Sequence, residues 1–414
     1  MEQPNRPYGV LGRVLGHSYT PVIYRELAGI DYRKFEREPE DLEAFVRSDE
    51  WEGFNVTIPY KRELVRYMDE LSDVAKLMGN INTVTRLADG RLRGDNTDYY
   101  GFKVLVESLG LDLADKKAVV FGGSGGAGST AMMVLADLGM NPVAINRSGQ
   151  DTYESLSNHA DAVLAVNCTP VGMFPACPAA PCNLEALPAL EGLIDIVYNP
   201  ARTALMMEAE RRGIPNAGGL LMLVAQAAQA VERYTGEHVS MARIEDVTAR
   251  LSTTEQNIML IGMPGCGKTC VAEQLAGLLS RSHIDIDREL EHELGVSCAE
   301  FIESQGEESF RLRETEVLGR VAAQSGLIIS CGGGVVTREE NYELAHQNSI
   351  IVMLNRPLDE LSKKGRPITA RDGIESLAAH RMPLYRAWAD IVVKSLDCAD
   401  NTAAAVRDAL PPML

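Results

Sequence analysis

The sequence is short of positive charge. Its 414 residues include 40 lysines and arginines against 58 aspartates and glutamates, so the formal net charge is −18 and the isoelectric point is near 4.9. Surfaces that bind nucleic acid or anionic membranes carry positive faces. The composition therefore argues against both kinds of partner, and an anionic small substrate would need a local cluster of arginine and lysine.

Long apolar runs and closely paired cysteines are also missing. The longest apolar stretch, 218–231, contains Gln226 and Gln229 and is too short and too polar to span a bilayer. The eight cysteines show no Cys-x-x-Cys spacing, which favours reduced thiols over a disulfide framework or a zinc site. Residues 1–13 hold no apolar run of signal-peptide length. We therefore expect a cytoplasmic protein, and its length predicts two to three domains.

A phosphate-binding loop divides the chain. Residues 262–269 fit the pattern Gly-x-x-x-x-Gly-Lys-Ser/Thr, between a predicted buried strand at 257–261 and a predicted helix at 270–281. In such a loop the backbone N–H groups surround the phosphates, Lys268 reaches the β- and γ-phosphates, and Thr269 holds Mg²⁺. The loop predicts an ATP–Mg²⁺ site. The predicted nucleotide-binding residues are Gly262, Gly265, Cys266, Gly267, Lys268, Thr269 and Cys270.

A second glycine-rich loop precedes it. Residues 123–128 read Gly-x-Gly-x-x-Gly, after a predicted strand at 117–121 and before an apolar helix and a second strand at 142–145. This order predicts a βαβ dinucleotide unit with the pyrophosphate at the helix N-terminus. The predicted cofactor-binding residues here are Gly123, Ser124, Gly125, Gly126 and Ala127.

The second strand of this unit has no acidic residue where NAD enzymes usually carry one. The sequence there is Asn146-Arg147-Ser148, with no acid before Asp151. A guanidinium at this place suits the 2′-phosphate of NADP, so we predict NADP(H) as the cofactor. The alternative is that Arg147 is an ordinary solvated surface residue.

Several short motifs in the first half together resemble shikimate dehydrogenase, over roughly residues 7–250. They occur in that family's order along the chain. The motifs are 16–21, 53–61, 79–83, 96–101, 146–148, 167–173, 198–200 and 219–226.

The resemblance implies a site for ketone reduction. A lysine and an aspartate in one cleft can supply the proton that hydride addition to a carbonyl requires, and the resemblance assigns this role to Lys61 and Asp98. The implied substrate-binding residues are Ser18, Thr20, Thr57, Asn82, Asp98, Tyr198 and Gln226, and Gly219 and Met222 match positions beside the nicotinamide. Because Thr20 stands where serine is commoner in the family, activity on quinate stays open.

The second half resembles shikimate kinase, over roughly residues 257–411. The motifs are 262–269, 282–287, 306–314, 332–334, 365–367 and 381–385. The resemblance implies that Asp285 lies toward Mg²⁺ with Thr269, and that Asp287 holds the acceptor hydroxyls and takes a proton. It implies further that Arg311 and Arg381 bind the substrate carboxylate, a geometry that suits a guanidinium. Gly333 would let substrate approach the backbone, and Arg366 would reach the phosphates from a lid.

These observations predict an α/β chain with two active halves. We expect a substrate-binding domain at 1–103 with returning helices at 226–251, a Rossmann domain at 104–225, a linker at 252–256, and a P-loop kinase domain with a parallel sheet at 257–414. The predicted function is reduction of 3-dehydroshikimate by NADPH, then ATP-dependent phosphorylation of shikimate. The alternatives are a quinate/shikimate dehydrogenase with an accessory kinase, or a metabolite sensor with one inactive half. We expect small-molecule partners only, in a monomer or homodimer.

Overall fold

The computed structural model describes residues 6–16, 19–361 and 373–414. The predicted site residues Ser18 and Arg366 lie outside the described residues. The chain forms two compact units. Unit 1 comprises Met1–Pro170, Pro181–Tyr198 and Glu208–Thr248, and unit 2 comprises Val171–Ala180, Asn199–Met207 and Ala249–Leu414.

The first sheet of unit 1 has six strands in the order β2-β1-β3-β5-β6-β4. The short strands on either side of Asp89-Gly90 predict a hairpin across that turn. The hairpin is present as the antiparallel pair β5 and β6, whereas β1 pairs with β2 and β3 in parallel. Two strands of this sheet were not predicted from the sequence, because β2 carries mostly exposed residues and β4 has only two residues. The strands are β1 Tyr8–Gly12, β2 Tyr32–Glu36, β3 Gly53–Val56, β4 Glu70–Leu71, β5 Thr83–Arg86 and β6 Leu92–Asp95; the helices are α1 Thr20–Ala28, α2 Leu42–Arg47, α3 Asp73–Met78 and α4 Asp98–Glu107.

The second sheet of unit 1 has five parallel strands in the order β11-β10-β9-β7-β8. Its central strands are buried along their length, as expected for a parallel sheet covered on both faces. The strands are β7 Lys117–Phe121, β8 Asn141–Ile145, β9 Leu164–Asn167, β10 Gly192–Asp195 and β11 Asn216–Gly218; the helices of this region are α5 Gly126–Asp137, α6 Ala204–Arg211, α7 Gly219–Thr235 and α8 Met241–Glu255. This is the predicted dinucleotide-binding topology.

Unit 2 contains a third sheet of five parallel strands in the order β13-β14-β12-β15-β16. The predicted parallel sheet and the mixed α/β class are both confirmed. The strands are β12 Asn257–Ile261, β13 His283–Asp285, β14 Ile328–Ser330, β15 Ser349–Asn355 and β16 Ile391–Lys394; the helices are α9 Lys268–Leu279, α10 Ile286–Leu294, α11 Cys298–Gln305, α12 Glu307–Ala322, α13 Glu340–His346, α14 Ile374–Trp388 and α15 Ala399–Ala409.

The sequence of residues 282–287 predicts one strand that ends in Asp-x-Asp, and the structure differs from that prediction. The strand β13 stops at Asp285, which caps helix α10 by accepting a hydrogen bond from the N–H of Arg288 at 3.1 Å. Asp287 lies in the first turn of α10. Aspartate is a preferred N-cap, and a second acid in the first turn suits the helix dipole, so the sequence begins a helix here.

The predicted polar linker, 252–256, is helical except for its last residue. Helix α8 continues to Glu255, where Leu251 is fully buried. The hydroxyls of Thr253 and Thr254 donate to carbonyls one turn back and so are satisfied within the helix. The other predicted domain boundaries stay predictions. Within 6–16, 19–361 and 373–414, every helix is too short or too polar to cross a membrane.

Arg281 closes the C-terminal end of α8. Its Nη1 donates to the carbonyl of Gln256 at 2.8 Å, and its Nη2 donates to the carbonyls of Thr253 at 3.0 Å and Thr254 at 2.8 Å. The last carbonyls of a helix have no partner within the helix. The guanidinium therefore satisfies groups that would otherwise lack hydrogen bonds.

We predict that Arg281→Met lowers the free energy of unfolding of unit 2 by about 2–3 kcal/mol, because hydrogen bonds from a charged donor are lost. The measurement is urea unfolding in a Trp51→Phe background. The chain has two tryptophans, so the fluorescence of the buried Trp388 then reports unit 2 alone.

The matched control for Arg281 is Arg288→Met. Arg288 forms an ion pair with Glu273 whose two side chains are 64% and 44% exposed, and such pairs contribute about 0–1 kcal/mol. Equal destabilisation by the two variants would contradict a capping role for Arg281.

Candidate functional sites

A cavity of about 600 Å³ opens in unit 1 beside the end of β3 and the first turns of α7. It brings together the predicted catalytic and substrate-binding residues that the structure describes, with the two residues predicted to lie beside the nicotinamide. Those lining it are Thr20, Thr57, Lys61, Asn82, Asp98, Tyr198, Gly219, Met222 and Gln226. Residues far apart in sequence thus meet at one surface, which is the expected property of a binding site.

Lys61 and Asp98 form an ion pair in this cavity. The Nζ of Lys61 lies 2.5 Å from Oδ2 of Asp98, and the side chains remain 32% and 22% exposed. Lys61 follows β3 in a turn held by its carbonyl, which accepts from the N–H of Ile81 at 2.8 Å. Asp98 is the first residue of α4, where a carboxylate is favoured by the helix dipole. The pair can therefore hold a proton at the cavity surface.

Asn82 fixes the other oxygen of Asp98. Its Nδ2 donates to Oδ1 of Asp98 at 2.9 Å and to the hydroxyl of Thr97 at 3.1 Å. Its Oδ1 accepts from the N–H of Thr97 at 2.7 Å. The hydroxyl of Thr97 also lies 3.3 Å from Oε1 of Gln226 on α7. The amide thus orients the carboxylate toward Lys61.

The glycine-rich loop of unit 1 joins β7 to α5 at close range. A Cβ at Gly128 would lie 2.1 Å from the carbonyl oxygen of Gly122, so only glycine allows this approach of helix to loop. Helix α5 begins at Gly126, and its first N–H groups are free to meet an anion. This shape fits the pyrophosphate of a dinucleotide.

The residues after β8 lie beside that loop. The hydroxyl of Ser124 donates to Oδ1 of Asn146 at 2.9 Å, which ties the loop to the end of the second strand. Arg147 and Ser148 follow and are exposed. Their position at the end of β8 is where a dinucleotide fold holds the adenosine ribose.

A second cavity, of about 460 Å³, lies in unit 2 over the phosphate loop. The buried ammonium of Lys268 donates to the carbonyls of Gly262 at 2.9 Å and Met263 at 3.2 Å. The predicted residues that line this cavity are Gly265, Gly267, Lys268, Thr269, Cys270, Asp287, Arg311, Gly333 and Arg381. Gly262, Cys266 and Asp285 do not line it.

Asp285 is held by two hydroxyls. Its Oδ2 accepts from Thr269 at 2.7 Å and from Ser330 at 2.6 Å. Burial raises the pKa of Asp285, but these hydrogen bonds outweigh burial and lower it below the ordinary value. Magnesium prefers hard oxygen ligands, so the donor set fits that ion. Among the described residues, no group of three or more His, Cys, Asp or Glu side chains could hold a metal by itself.

The pKa of Asp287 shifts in the opposite direction. Burial, together with the nearby charges of Glu314 and Asp285, raises the pKa of Asp287 to about 7. Its Oδ1 and Oε1 of Glu314 both lie within 3 Å of the point where Gly332 would carry a Cβ. A carboxyl that titrates near neutrality at a cavity wall is suited to general-base chemistry.

Two buried arginines complete the wall of the second cavity. Arg311 donates to Oε2 of the fully buried Glu314 at 2.7 Å, and Arg381 donates to the carbonyl of Gly333 at 2.9 Å. Tyr385 donates to that same carbonyl. The Nε atoms of both arginines and Oε1 of Glu314 have no hydrogen-bond partner within the described ranges. Two guanidinium groups that line one cavity wall suit an anionic group.

Two residues of this second site were missed by the sequence reasoning. Glu314 stands three residues after Arg311 on α12, and an Arg-x-x-Glu spacing on a helix predicts such a pair. Ser330 ends an otherwise apolar strand at the edge where the parallel strands meet. Both signals were present in the sequence.

The folds and sites define the class of protein: a dinucleotide-dependent oxidoreductase and a P-loop kinase in one chain. Residues 10–84 match the family model "Shikimate dehydrogenase substrate binding domain", and residues 264–410 match the model "Shikimate kinase". The shikimate dehydrogenase (NADP(+)) of Clostridium beijerinckii is 35% identical over 246 residues, which are 54% of this chain and 90% of that relative. The chain belongs to the shikimate dehydrogenase family and carries a shikimate kinase domain.

Solved structures agree for the first half. A chorismate mutase/shikimate 5-dehydrogenase fusion protein from Clostridium acetobutylicum is 30% identical with a TM-score of 0.56, covering 59% of this chain and 96% of that one. The shikimate 5-dehydrogenase of Thermus thermophilus, solved with NADP(H) and shikimate, is 30% identical with a TM-score of 0.52, covering 59% and 99%. The prediction of a dehydrogenase fused to a kinase is confirmed.

We predict opposite effects of amide substitution at the two aspartates of unit 2. Folding raises the pKa of Asp287 from 3.8 to about 7, so the folded state holds a proton that the unfolded chain releases in this window. The contribution of Asp287 to stability is complete below pH 3.8 and is lost as the pH rises through 7. Asp287→Asn should therefore raise the melting temperature of unit 2 at pH 8, and less at pH 5.

Asp285→Asn is the matched comparison. Its lowered pKa means that its contribution is present above pH 3.8 and is lost only as the pH falls below that value. This variant should lower the melting temperature at pH 8. Thermal unfolding followed by Trp388 fluorescence measures both effects, and destabilisation by Asp287→Asn at pH 8 would contradict a raised pKa.

Proposed function

We propose that the chain catalyses two consecutive reactions. Unit 1 reduces the carbonyl of 3-dehydroshikimate with NADPH, and unit 2 transfers a phosphoryl group from ATP to the 3-hydroxyl of shikimate. The observation that supports this most is that one chain joins a Lys–Asp–Asn cavity and a phosphate-loop cavity. The first lies in a region similar to shikimate dehydrogenases and the second in a region similar to shikimate kinases. The product of the first reaction is then the acceptor of the second.

In the first reaction the chain positions the ring and moves one proton. A bound nicotinamide cofactor supplies the hydrogen and two electrons that the carbonyl carbon receives. Lys61 gives its proton to the carbonyl oxygen, which becomes the new hydroxyl, and Asp98 holds the ammonium against that oxygen. Thr20, Thr57 and Gln226 offer hydrogen bonds to the other polar groups of the ring. A positioned acid of this kind contributes about 10²–10⁴-fold to a rate.

In the second reaction the chain removes a proton from the acceptor hydroxyl and neutralises the negative charge of the phosphates and the ring carboxylate. Asp287 takes the proton of the acceptor hydroxyl while the oxygen of that hydroxyl forms a bond to the γ-phosphorus. The bond from the γ-phosphorus to the bridging oxygen breaks, and ADP leaves with that oxygen. Lys268 and the loop N–H groups stabilise the phosphate charge, and Arg311 and Arg381 bind the ring carboxylate. Thr269 and Asp285 would hold Mg²⁺, which shields charge between the phosphates. Positioning and charge neutralisation account for most catalysis of phosphoryl transfer.

The test follows NADPH loss and ADP formation in one mixture of 3-dehydroshikimate, NADPH and ATP–Mg²⁺. We expect ADP formation to follow NADPH oxidation with a lag, because the kinase has no acceptor until the dehydrogenase has formed shikimate. Quinate oxidation that exceeds shikimate oxidation would favour the quinate/shikimate dehydrogenase instead. Binding of either metabolite without turnover in one unit would favour the sensor.

We predict that Lys61→Met lowers the dehydrogenase kcat at least about 100-fold and leaves the kinase unchanged, because only the proton donor of unit 1 is lost. Lys268→Met should do the reverse, since the loop loses its cation. The exposed Lys76 and Lys394 serve as control positions, and their methionine variants should keep both activities. Loss of both activities in either variant, with the fold intact, would contradict two independent sites.

We predict that Arg147→Gln raises the KM for NADPH about 10-fold or more, with little change in the KM for NADH. The reason is that only NADPH has a 2′-phosphate for the guanidinium to bind. Arg91→Gln changes the net charge equally at a surface ion pair and serves as the control. Equal effects on the two cofactors would show that Arg147 does not select between them.

A further inference from the structure

The loop after β8 closes on itself and brings an acidic residue back to the end of that strand. The N–H of Asn146 donates to the carbonyl of Asp151 at 3.1 Å, and Asn146 pairs with Thr152 as an isolated β-bridge. Residues 147–150 form the exposed tip between these contacts. Asp151 therefore lies beside the strand end, although it comes several positions later in the sequence.

A histidine binds the carboxylate of Asp151. Oδ1 of Asp151 lies 3.0 Å from Nε2 of His159, and because an ionised carboxylate can only accept, Nε2 carries the hydrogen. The side chain of His159 is 10% exposed and that of Asp151 is 27% exposed. The carboxylate is thus held against a nearly buried ring rather than left to move in solvent.

The fold fixes the position of His159 independently of the loop tip. His159 ends the 3₁₀ segment Tyr153–His159, and Thr152 and Ser155 form a capping box at the start of that segment. The ring of Tyr153 stacks on that of Phe121, the last residue of β7, with centroids 5.8 Å apart and planes at 11°. The segment is therefore attached to the parallel sheet.

This pairing keeps an acid away from Arg147. Asp151 is the only acidic residue in 147–152, yet it pairs with His159. In a dinucleotide fold a carboxylate at the end of the second strand binds the ribose 2′-hydroxyl of NAD, whereas an arginine there accommodates the 2′-phosphate of NADP. A carboxylate that turned toward the ribose position would repel the 2′-phosphate and offer an acceptor to NADH.

We propose that His159 is a specificity-determining residue for the cofactor, because it binds Asp151 and withholds that carboxylate from the ribose position at the end of β8. The inference rests on the proposed function of unit 1, in which Arg147 attracts the 2′-phosphate. His159 acts on the other side of the same preference, since it removes a repulsion toward NADPH and an acceptor for NADH. Specificity is a difference between two affinities, and both contributions enlarge it.

The first test is His159→Leu. Leucine occupies the buried space but cannot bind a carboxylate, so Asp151 becomes free to turn toward the ribose position. We expect the ratio of kcat/KM for NADPH to that for NADH to fall about 10-fold or more, because a negative charge then faces the 2′-phosphate. An unchanged ratio would overturn the proposal.

The double variant Asp151→Asn/His159→Leu separates charge from loop structure. It also lacks the histidine, but no carboxylate remains to repel the 2′-phosphate. The ratio should return to within about two-fold of the wild-type value, as expected for two residues that act through one interaction. A ratio that stays low would show that His159 merely holds the loop in place, and the proposal would fail.

Gln150→Asp tests the same idea without changing a buried residue. Gln150 is exposed at the loop tip, and an aspartate there is a carboxylate that His159 does not hold. This variant should also lower the ratio, and no effect would contradict the proposal. The matched control is His238→Leu, because His238 pairs with Glu232 in unit 1 but is 80% exposed. It should keep the wild-type ratio.

Calorimetric titration with adenosine 2′,5′-bisphosphate gives a readout that does not require turnover. This compound has the 2′-phosphate but no nicotinamide. His159→Leu should bind it about 10-fold more weakly than the wild type, and the double variant should recover the affinity. If the wild-type chain binds it but does not reduce 3-dehydroshikimate, the proposed reaction is refuted, whereas the binding series still decides the role of His159.

Discussion

Close approach of backbone to backbone is the constraint on which both nucleotide-binding loops depend. In each loop the chain leaves a buried parallel strand and enters a helix whose first N–H groups must face a phosphate. A Cβ at Gly128 would lie 2.1 Å from a loop carbonyl, and one at Gly262 would lie 2.7 Å from the carbonyl of Leu354. Helix α5 can approach its loop only because Gly128 lacks a side chain, and the phosphate loop can pass the end of β15 only because Gly262 lacks one. The position of each candidate site at the strand ends follows from that approach.

Charge has to be arranged locally because the chain as a whole repels anions. With a net charge of −18, long-range attraction cannot bring a phosphate or carboxylate to either cavity. In unit 2 the cations are instead buried at the cavity wall: Lys268, Arg311 and Arg381 are each less than 10% exposed. Buried cations need partners, and Glu314 and the carbonyl of Gly333 provide them. The acidic residues nearest the site thus stabilise the cations that a ligand would meet.

Sequence patterns predicted the elements whose formation depends mainly on residues adjacent in the chain. The buried strands at 117–121 and 257–261, their glycine loops and the hairpin of β5 and β6 are present because each depends on residues adjacent in sequence. The pattern did not predict β2, whose exposed residues show no alternation, or the start of α10, where a capping aspartate overrides the apolar strand pattern. The fold class was predictable from the sequence. The ends of the helices and strands depended on capping residues, and the edge strands carried too little apolar pattern to be predicted.

The arrangement of the candidate sites was predictable only in part. Resemblance to known families named the residues that line the two cavities, but not how they are held. Oδ1 of Asn55, which lines the first cavity, accepts from tyrosines 31, 23 and 179 positions away, and no periodicity connects such partners.

The two aspartates of unit 2 show the same limit. Asp285 and Asp287 are two residues apart and chemically identical, yet hydroxyl donors lower the pKa of the first while burial and neighbouring carboxylates raise that of the second. The difference arises from Ser330 and Glu314, which come from other strands and helices. Asp285, charged beside the proposed metal position, and Asp287, protonatable beside the proposed acceptor, therefore have different chemical roles. The fold makes that distinction by deciding which distant residues surround each carboxyl.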